Sequence, residues 1–350
     1  MLNELIPIFA ALIGFVVTLG IGFLVVPFLR RLKFGQTILD IGPNWHKSKQ
    51  GTPTMGGFQF IIGTVAAVLL TVVIASIMGG TRLMEELAND VRLIRLVAGM
   101  LMALCMAFIG FIDDYIKVVK KRNLGLSAYQ KTTFQLLTAG AYLYSLLLSG
   151  MHTVQLPFLG EINIRSGPGL LFWPIALCFI YGFTNAVNLT DGLDGLASSV
   201  TLVVAMFFML CSGWLAYRGQ LPYVTLNVAA AALAGACGGF LFWNLHPAKV
   251  FMGDTGSMFL GGMVVALSFM LDRPVVLLLV GVIYLIEALS VVLQVTVYKL
   301  TKKRIFKMSP LHHHFEMCGL SENIIVILFS AVTLAACVGA FFLVMSDIVF

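Results

Sequence analysis

Ten stretches of this 350-residue chain are each apolar over about the 20 residues that a helix needs to cross a bilayer, and that repetition admits little besides a bundle of membrane helices. They lie near 5–29, 58–78, 96–112, 131–149, 169–187, 195–217, 222–242, 257–271, 274–298 and 324–346. The run at 257–271 is short and is parted from its successor only by Asp272, Arg273 and Pro274. Composition points the same way: 59% of residues are hydrophobic and 11% charged, outside the balance of a soluble domain. The first run has no small-residue cleavage site after a short apolar core, so it is expected to stay as a helix rather than leave as a signal peptide. The expected fold is an all-α polytopic membrane protein of ten spans, with residues 1–350 forming one membrane-embedded domain.

Ten crossings return the chain to its starting side, and basic residues decide which side that is. Of the 22 Lys and Arg, only Arg82, Arg92, Arg95, Arg165, Arg218 and Arg273 fall in even loops. The odd loops hold the rest, so they are expected in the cytoplasm with both termini outside. Loop 4, HTVQLPFLGEINIRSG, alternates apolar residues on both flanks of a Leu-Gly turn and predicts a short β-hairpin near 152–165 on the outer surface. Cys105, Cys178, Cys211, Cys237, Cys318 and Cys337 show no paired spacing for zinc or a redox motif, and packing is the expected role of the five within the spans.

Against this background five aspartates stand out, all in odd loops: Asp113 and Asp114 in FIDDYIK, Asp191 and Asp194 in NLTDGLDGL, and Asp254 in FMGDTGS. Ionisable groups at the mouths of membrane helices point to ion, proton or phosphate chemistry. If the third run continues as a helix, Asp113, Lys117 and Lys121 follow one another at four-residue spacing along one stripe. Lysines there would anchor a helix end in any case, but two adjacent carboxylates repel each other and have little structural reason to be kept together. Asn188, Asp191 and Asp194 recur every three residues, with Gly192 and Gly195 permitting sharp turns and close ligand approach. A calcium loop is excluded, because the ligand ladder and closing Glu are missing. A plain polar turn would use the same residue types. Asp254 stands where the eighth run begins; it is either a helix cap or a ligand for a hard cation such as magnesium.

Loop 9 reads KLTKKRIFKMSPLHHHFE. Adjacent histidines on a helix point about 100° apart and cannot all ligate one ion, so one or two of them beside Lys302, Lys303 and Arg304 are expected to bind an anion. The basic residues alone would serve as a headgroup anchor. Loop 1 supplies Lys49, Thr52 and Thr54 ahead of Gly56 and Gly57, and Glu287, Ser290 and Gln294 form a polar stripe within the ninth run. No Walker lysine motif is present in the chain, which disfavours P-loop ATP hydrolysis. Carboxylates for a cation, lysines for phosphates and access from lipid together suit phosphoryl transfer, which asks a protein mainly for positioning and charge.

Five segments, GTPTMGG at 51–57, FIDDYIK at 111–117, NAVNLTDGLDGL at 185–196, FMGDTGS at 251–257 and PLHHHFE at 310–316, resemble in order the motifs of bacterial phospho-N-acetylmuramoyl-pentapeptide transferases. The acidic motifs are similar to those of the wider polyprenyl-phosphate N-acetylhexosamine-1-phosphate transferases; TPTMGG and HHHFE resemble the muramoyl branch. The resemblance implies attack of undecaprenyl phosphate on UDP-N-acetylmuramoyl-pentapeptide, giving lipid I and UMP, the first membrane step of peptidoglycan synthesis. It further implies Mg2+ as cofactor, ten helices with the site on the cytoplasmic face of the bacterial inner membrane, and a homodimer.

Roles follow from the same resemblance. Asp254 is expected to bind magnesium, Asp113 to orient or deprotonate the lipid phosphate, and Asp114 to support it. Asn188, Asp191 and Asp194 match the nucleotide side, with Phe251 stacking on uracil. Lys49, Lys117, Lys121, His313 and His314 would hold phosphates and sugar, His313 being counted with the catalytic group. Thr54, Asn244, Ser257 and Gln294 complete the expected substrate contacts. Direct attack is favoured over a covalent aspartyl intermediate, since the acids already carry cation and base duties. Transfer of N-acetylglucosamine-1-phosphate is the nearest alternative. An ion-coupled transporter would place its acids near the midplane, whereas all but Glu287 are expected at one rim. A membrane scaffold leaves the rim acids without a purpose. No nucleic-acid partner is expected.

Overall fold

The computed structural model describes residues 2–32, 49, 51–119, 124–156, 160–218 and 223–345. Its helices are α1 (Leu2–Arg31), α2 (Gly57–Met78), α3 (Thr81–Leu87), α4 (Asp90–Val119), α5 (Ala128–Leu148), α6 (Phe172–Thr190), α7 (Leu196–Tyr217), α8 (Val224–Asn244), α9 (Gly253–Met270), α10 (Val276–Val280), α11 (Val282–Thr301), α12 (Leu311–Glu316) and α13 (Glu322–Met345). Among the described residues nine helices are long and apolar enough to cross a membrane, so an all-α polytopic membrane protein is what the chain forms. The fourth expected span, α5, is 21 residues long but less apolar than the other nine, because Gln130, Lys131 and Gln135 fill its first turns. The ninth run is broken at Gly281 into α10 and α11, where glycine weakens helix continuity.

In lipid, apolar side chains gain little by leaving the solvent, so helices pack where small residues let backbones approach. The alanine-rich α8 is such an element: Ala229, Ala230, Ala231 and Ala232 are all buried, and α8 packs against α1, α2 and α7. The central helix is α9, 89% of whose spanning window is buried against 22% for α1, which turns Phe15, Phe23, Leu24 and Phe28 outward. Helix α9 packs on α4 and α6. Gly110 of α4 lies against the backbone of α9; a Cβ there would collide with the carbonyl of Asp254.

Carboxylates borrowed from other elements finish two helix N-termini. Glu86 of α3 accepts from the Val224 and Thr225 amides at 2.7 and 2.8 Å, capping α8. Asp114 does the same for α9, as described below. The hairpin near 152–165 forms as expected, with β1 (Thr153–Leu156) antiparallel to β2 (Gly160–Asn163) and Val154 opposite Ile162.

Candidate active site

The three aspartate segments meet at one end of the bundle. Helix α4 continues through Asp113 and Asp114, so the two carboxylates leave its end in different directions. Asp114 is 4% exposed and turns toward α9. Its Oδ1 accepts from the Asp254 amide at 3.2 Å and its Oδ2 from the Thr255 amide at 2.9 Å and hydroxyl at 2.7 Å. An acid at a helix N-terminus meets both the free amides and the positive end of the dipole. The cap of α9 therefore comes from α4 rather than from Asp254, and one of the two adjacent acids does have a structural reason to be there. Gly253, at φ 70°, has the Asp114 carboxylate and the Thr54 hydroxyl where a Cβ would stand.

With its backbone fixed, Asp254 directs its side chain outward. Its Oδ2 accepts from Lys131 Nζ at 2.8 Å and Lys117 Nζ at 3.1 Å, and its Oδ1 from Asn188 Nδ2 at 3.0 Å. Asn188 also donates to Ser257 Oγ at 2.8 Å. Lys117 reaches Asp113 Oδ2 at 2.6 Å, while Asp113 Oδ1 accepts from the Leu126 amide at 2.8 Å, tying the approach to α5 to the end of α4. A Ser127–Gln130 capping box then starts α5 and sets Lys131 in its first turn. One turn deeper, Gln135 and Asn185 exchange hydrogen bonds at 3.1 and 3.3 Å, fixing α5 against α6 beneath Lys131 and Asn188.

Asp113, Asp114 and Asp254 present carboxylate oxygens that all lie within 4.8 Å of one another. Hard oxygen donors so close together fit a hard divalent cation, and the two lysines lower their mutual repulsion in the protein alone. Asp191 lies in the turn after α6, where burial first, then the Asp254, Asp114 and Asp194 charges, push its carboxyl well above the usual carboxylate range.

A second group adjoins it. Lys49 Nζ donates to Asp194 Oδ1 at 2.8 Å and Glu322 Oε2 at 2.6 Å, while Asp194 Oδ2 contacts His246 Nδ1 at 2.9 Å and accepts from the Ala248 amide at 3.1 Å. The loop-1 motif runs beside the Phe251 segment, the Phe251 amide donating to Pro53 O and the Gly56 amide to Phe251 O, each at 2.8 Å.

A protein-family model described as glycosyl transferase family 4 matches residues 96–272. Similar chains bearing the name phospho-N-acetylmuramoyl-pentapeptide-transferase include one from Clostridioides difficile, 44% identical over 93% of this chain and 94% of its own length. One from Heliobacterium modesticaldum is 45% identical over 92% and 94%, and one from Acetivibrio thermocellus 43% over 96% and 94%. The chain belongs to the phospho-N-acetylmuramoyl-pentapeptide-transferase family.

For a member of this transferase family the other expected contacts are distributed as follows. Asn244 is buried with its amide engaged by Gly195, Ser198 and Val250. Gln294 holds the backbone of Ile305 and Phe306. His313 Nδ1 lies 2.7 Å from Glu316 Oε2, and His314 Nδ1 accepts from the Lys307 amide at 3.2 Å. Lys121 lies outside the described residues. The histidine that turns inward is His312, bonded through its amide and Nδ1 to Glu287 at 3.1 Å each, with its ring against Gly192. Sequence reasoning also passed over Lys131, Thr255, His246 and Glu322. Lys131 carried a signal: a lysine in the first turn of a helix opposes the dipole and calls for a local anion.

Proposed function

We propose that the chain transfers phospho-N-acetylmuramoyl-pentapeptide from its UDP conjugate to undecaprenyl phosphate, yielding lipid I and UMP. The observation that carries the reading is the meeting of Asp113, Asp114 and Asp254 with Lys117 and Lys131 on one membrane-helix rim. In the transfer, an oxygen of the lipid phosphate bonds to the sugar-bearing phosphorus. The bond from that phosphorus to the bridging oxygen breaks, and its electron pair leaves with UMP.

Asp254 and Asp113 are proposed to hold Mg2+, with Asp114 fixing them; the ion when bound would neutralise the diphosphate and polarise its oxygens. Asp113 also orients the lipid phosphate and takes any proton it carries. Lys117 and Lys131 offset phosphate charge, and Asn188 keeps Asp254 in one rotamer. Lys49, Asp194 and Phe251 are assigned to the nucleotide side, His313 and His314 to the sugar portion. Placement of the site in the cytoplasm rests on the loop charges, and a homodimer on the family resemblance.

The test is UMP release by purified protein in detergent given undecaprenyl phosphate and either UDP-N-acetylmuramoyl-pentapeptide or UDP-N-acetylglucosamine, with magnesium or with EDTA. Release with the muramoyl substrate, abolished by EDTA, is expected. Release with the N-acetylglucosamine substrate alone would overturn the assignment.

A further inference from the structure

The end of the bundle opposite the aspartates holds a polar cavity of about 380 Å³, within the size range of small-ligand sites. Helix α4 joins the two regions: Arg95 precedes Asp113 by about 27 Å of helix axis at 1.5 Å per residue, close to the thickness of a bilayer's hydrocarbon core. The cavity is thus level with the far headgroups. Its walls include Arg92 and Arg95 from α4, Arg273 from the turn after α9, His152 and Glu161 from the hairpin region, and Tyr223.

Three guanidinium groups face two carboxylates here, and one of the carboxylates is already spent. Asp272 pairs with Arg95 and lies 3.8 Å from Arg92, which also stacks over Tyr223 at 5.1 Å. Glu161 is exposed at the rim. Arg273 Nη1 is buried and, among the described residues, has no hydrogen-bond partner; the same holds for Nε of Arg95, which is 8% exposed. A buried guanidinium N–H without an acceptor is costly, and with Asp272 already paired and Glu161 at the rim the walls carry an excess of guanidinium charge that suits an oxyanion. Donors approaching from different segments suit a phosphate, which offers oxygens in several directions.

We propose that this cavity is a second ligand site, which takes a phosphate group at the headgroup level opposite the catalytic rim. A phospholipid headgroup and free phosphate share that chemistry, and the test separates them.

Thermal unfolding of the full chain in neutral detergent is measured with phosphatidylglycerol, phosphatidylcholine or inorganic phosphate, for wild type, Arg273→Gln, Arg273→Lys and Asp254→Asn. A rise of several degrees with phosphatidylglycerol is expected in wild type and Asp254→Asn, lost in Arg273→Gln and partly restored in Arg273→Lys. An Arg273-dependent rise with inorganic phosphate as well identifies a free-anion site; a rise with the lipid alone identifies a headgroup site. UMP release by Arg273→Gln near the wild-type rate shows that the variant is folded. No rise with any probe, a rise that persists in Arg273→Gln, or one lost in Asp254→Asn would each overturn the proposal.

Discussion

Asp114 and Thr255 are joined by two hydrogen bonds to a single carboxylate oxygen, 2.9 Å from the Thr255 amide and 2.7 Å from its hydroxyl. The link makes the end of one membrane helix the cap of another. Asp114 thereby serves Asp254 through the backbone, and its oxygens are occupied before any ligand arrives.

Replacing Asp114 by Ala leaves buried donors of Thr255 and Asp254 unsatisfied. The expected cost is about 2–3 kcal/mol of stability, read from chemical or thermal unfolding in detergent. Asp114→Asn keeps one acceptor and is expected to lose less stability. An Ala variant as stable as wild type would show that the cap contributes nothing.

Asp113 and Asp254 are expected to separate binding from transfer. Asp254→Asn removes the carboxylate that Lys117, Lys131 and Asn188 surround, and UMP release should fall at least about 100-fold, a loss of roughly 3 kcal/mol of transition-state stabilisation. Asp113→Asn should bind the UDP-sugar with near-normal affinity, measured by equilibrium binding, while transfer is lost. Loss of both in the Asp113 variant would assign it a structural role.

Lys131→Met should lower kcat/KM by roughly 10–100-fold, since a cation beside the developing phosphate charge is worth about 1.4–2.7 kcal/mol. Lys131→Arg should recover part of the loss. Equal damage in both variants would indicate that only the packing of lysine matters.

Asp191 gives a pH signature. Its folded-state carboxyl binds a proton more tightly than an unfolded one, so the folded state holds the extra proton between the two values and stability falls as pH rises through that window. In EDTA, the unfolding midpoint of Asp191→Asn should therefore exceed that of wild type at pH 8 and approach it near pH 4. A constant difference across that range would remove Asp191 as the cause.

The spans and the hairpin are legible in the sequence because each depends on a local, one-dimensional pattern: run length or alternation. Alternating the loops by charge is enough to bring Asp113, Asp191 and Asp254 to one rim. The Asp113–Lys117 pair is legible from its four-residue spacing, but which acid of one segment meets which base of another is not, because that depends on helix phase and contact between distant segments. His312 shows the limit: with three consecutive histidines, only the start of α12 at Leu311 decides that the first turns toward Glu287. Likewise the roles of Asn244 and Gln294 depend on loops that fold back over them, and α5 reads as a span by position although its first turns belong to the polar site.

The contact of Gly110 with the Asp254 backbone has a consequence for ligand recognition. Any side chain at Gly110 would have to push α4 from the Asp254–Thr255 backbone of α9, so a substitution there is expected to shift the aspartates and lower activity. A ligand that reads the spacing of the aspartates would thus depend on a distance that Gly110 helps to set.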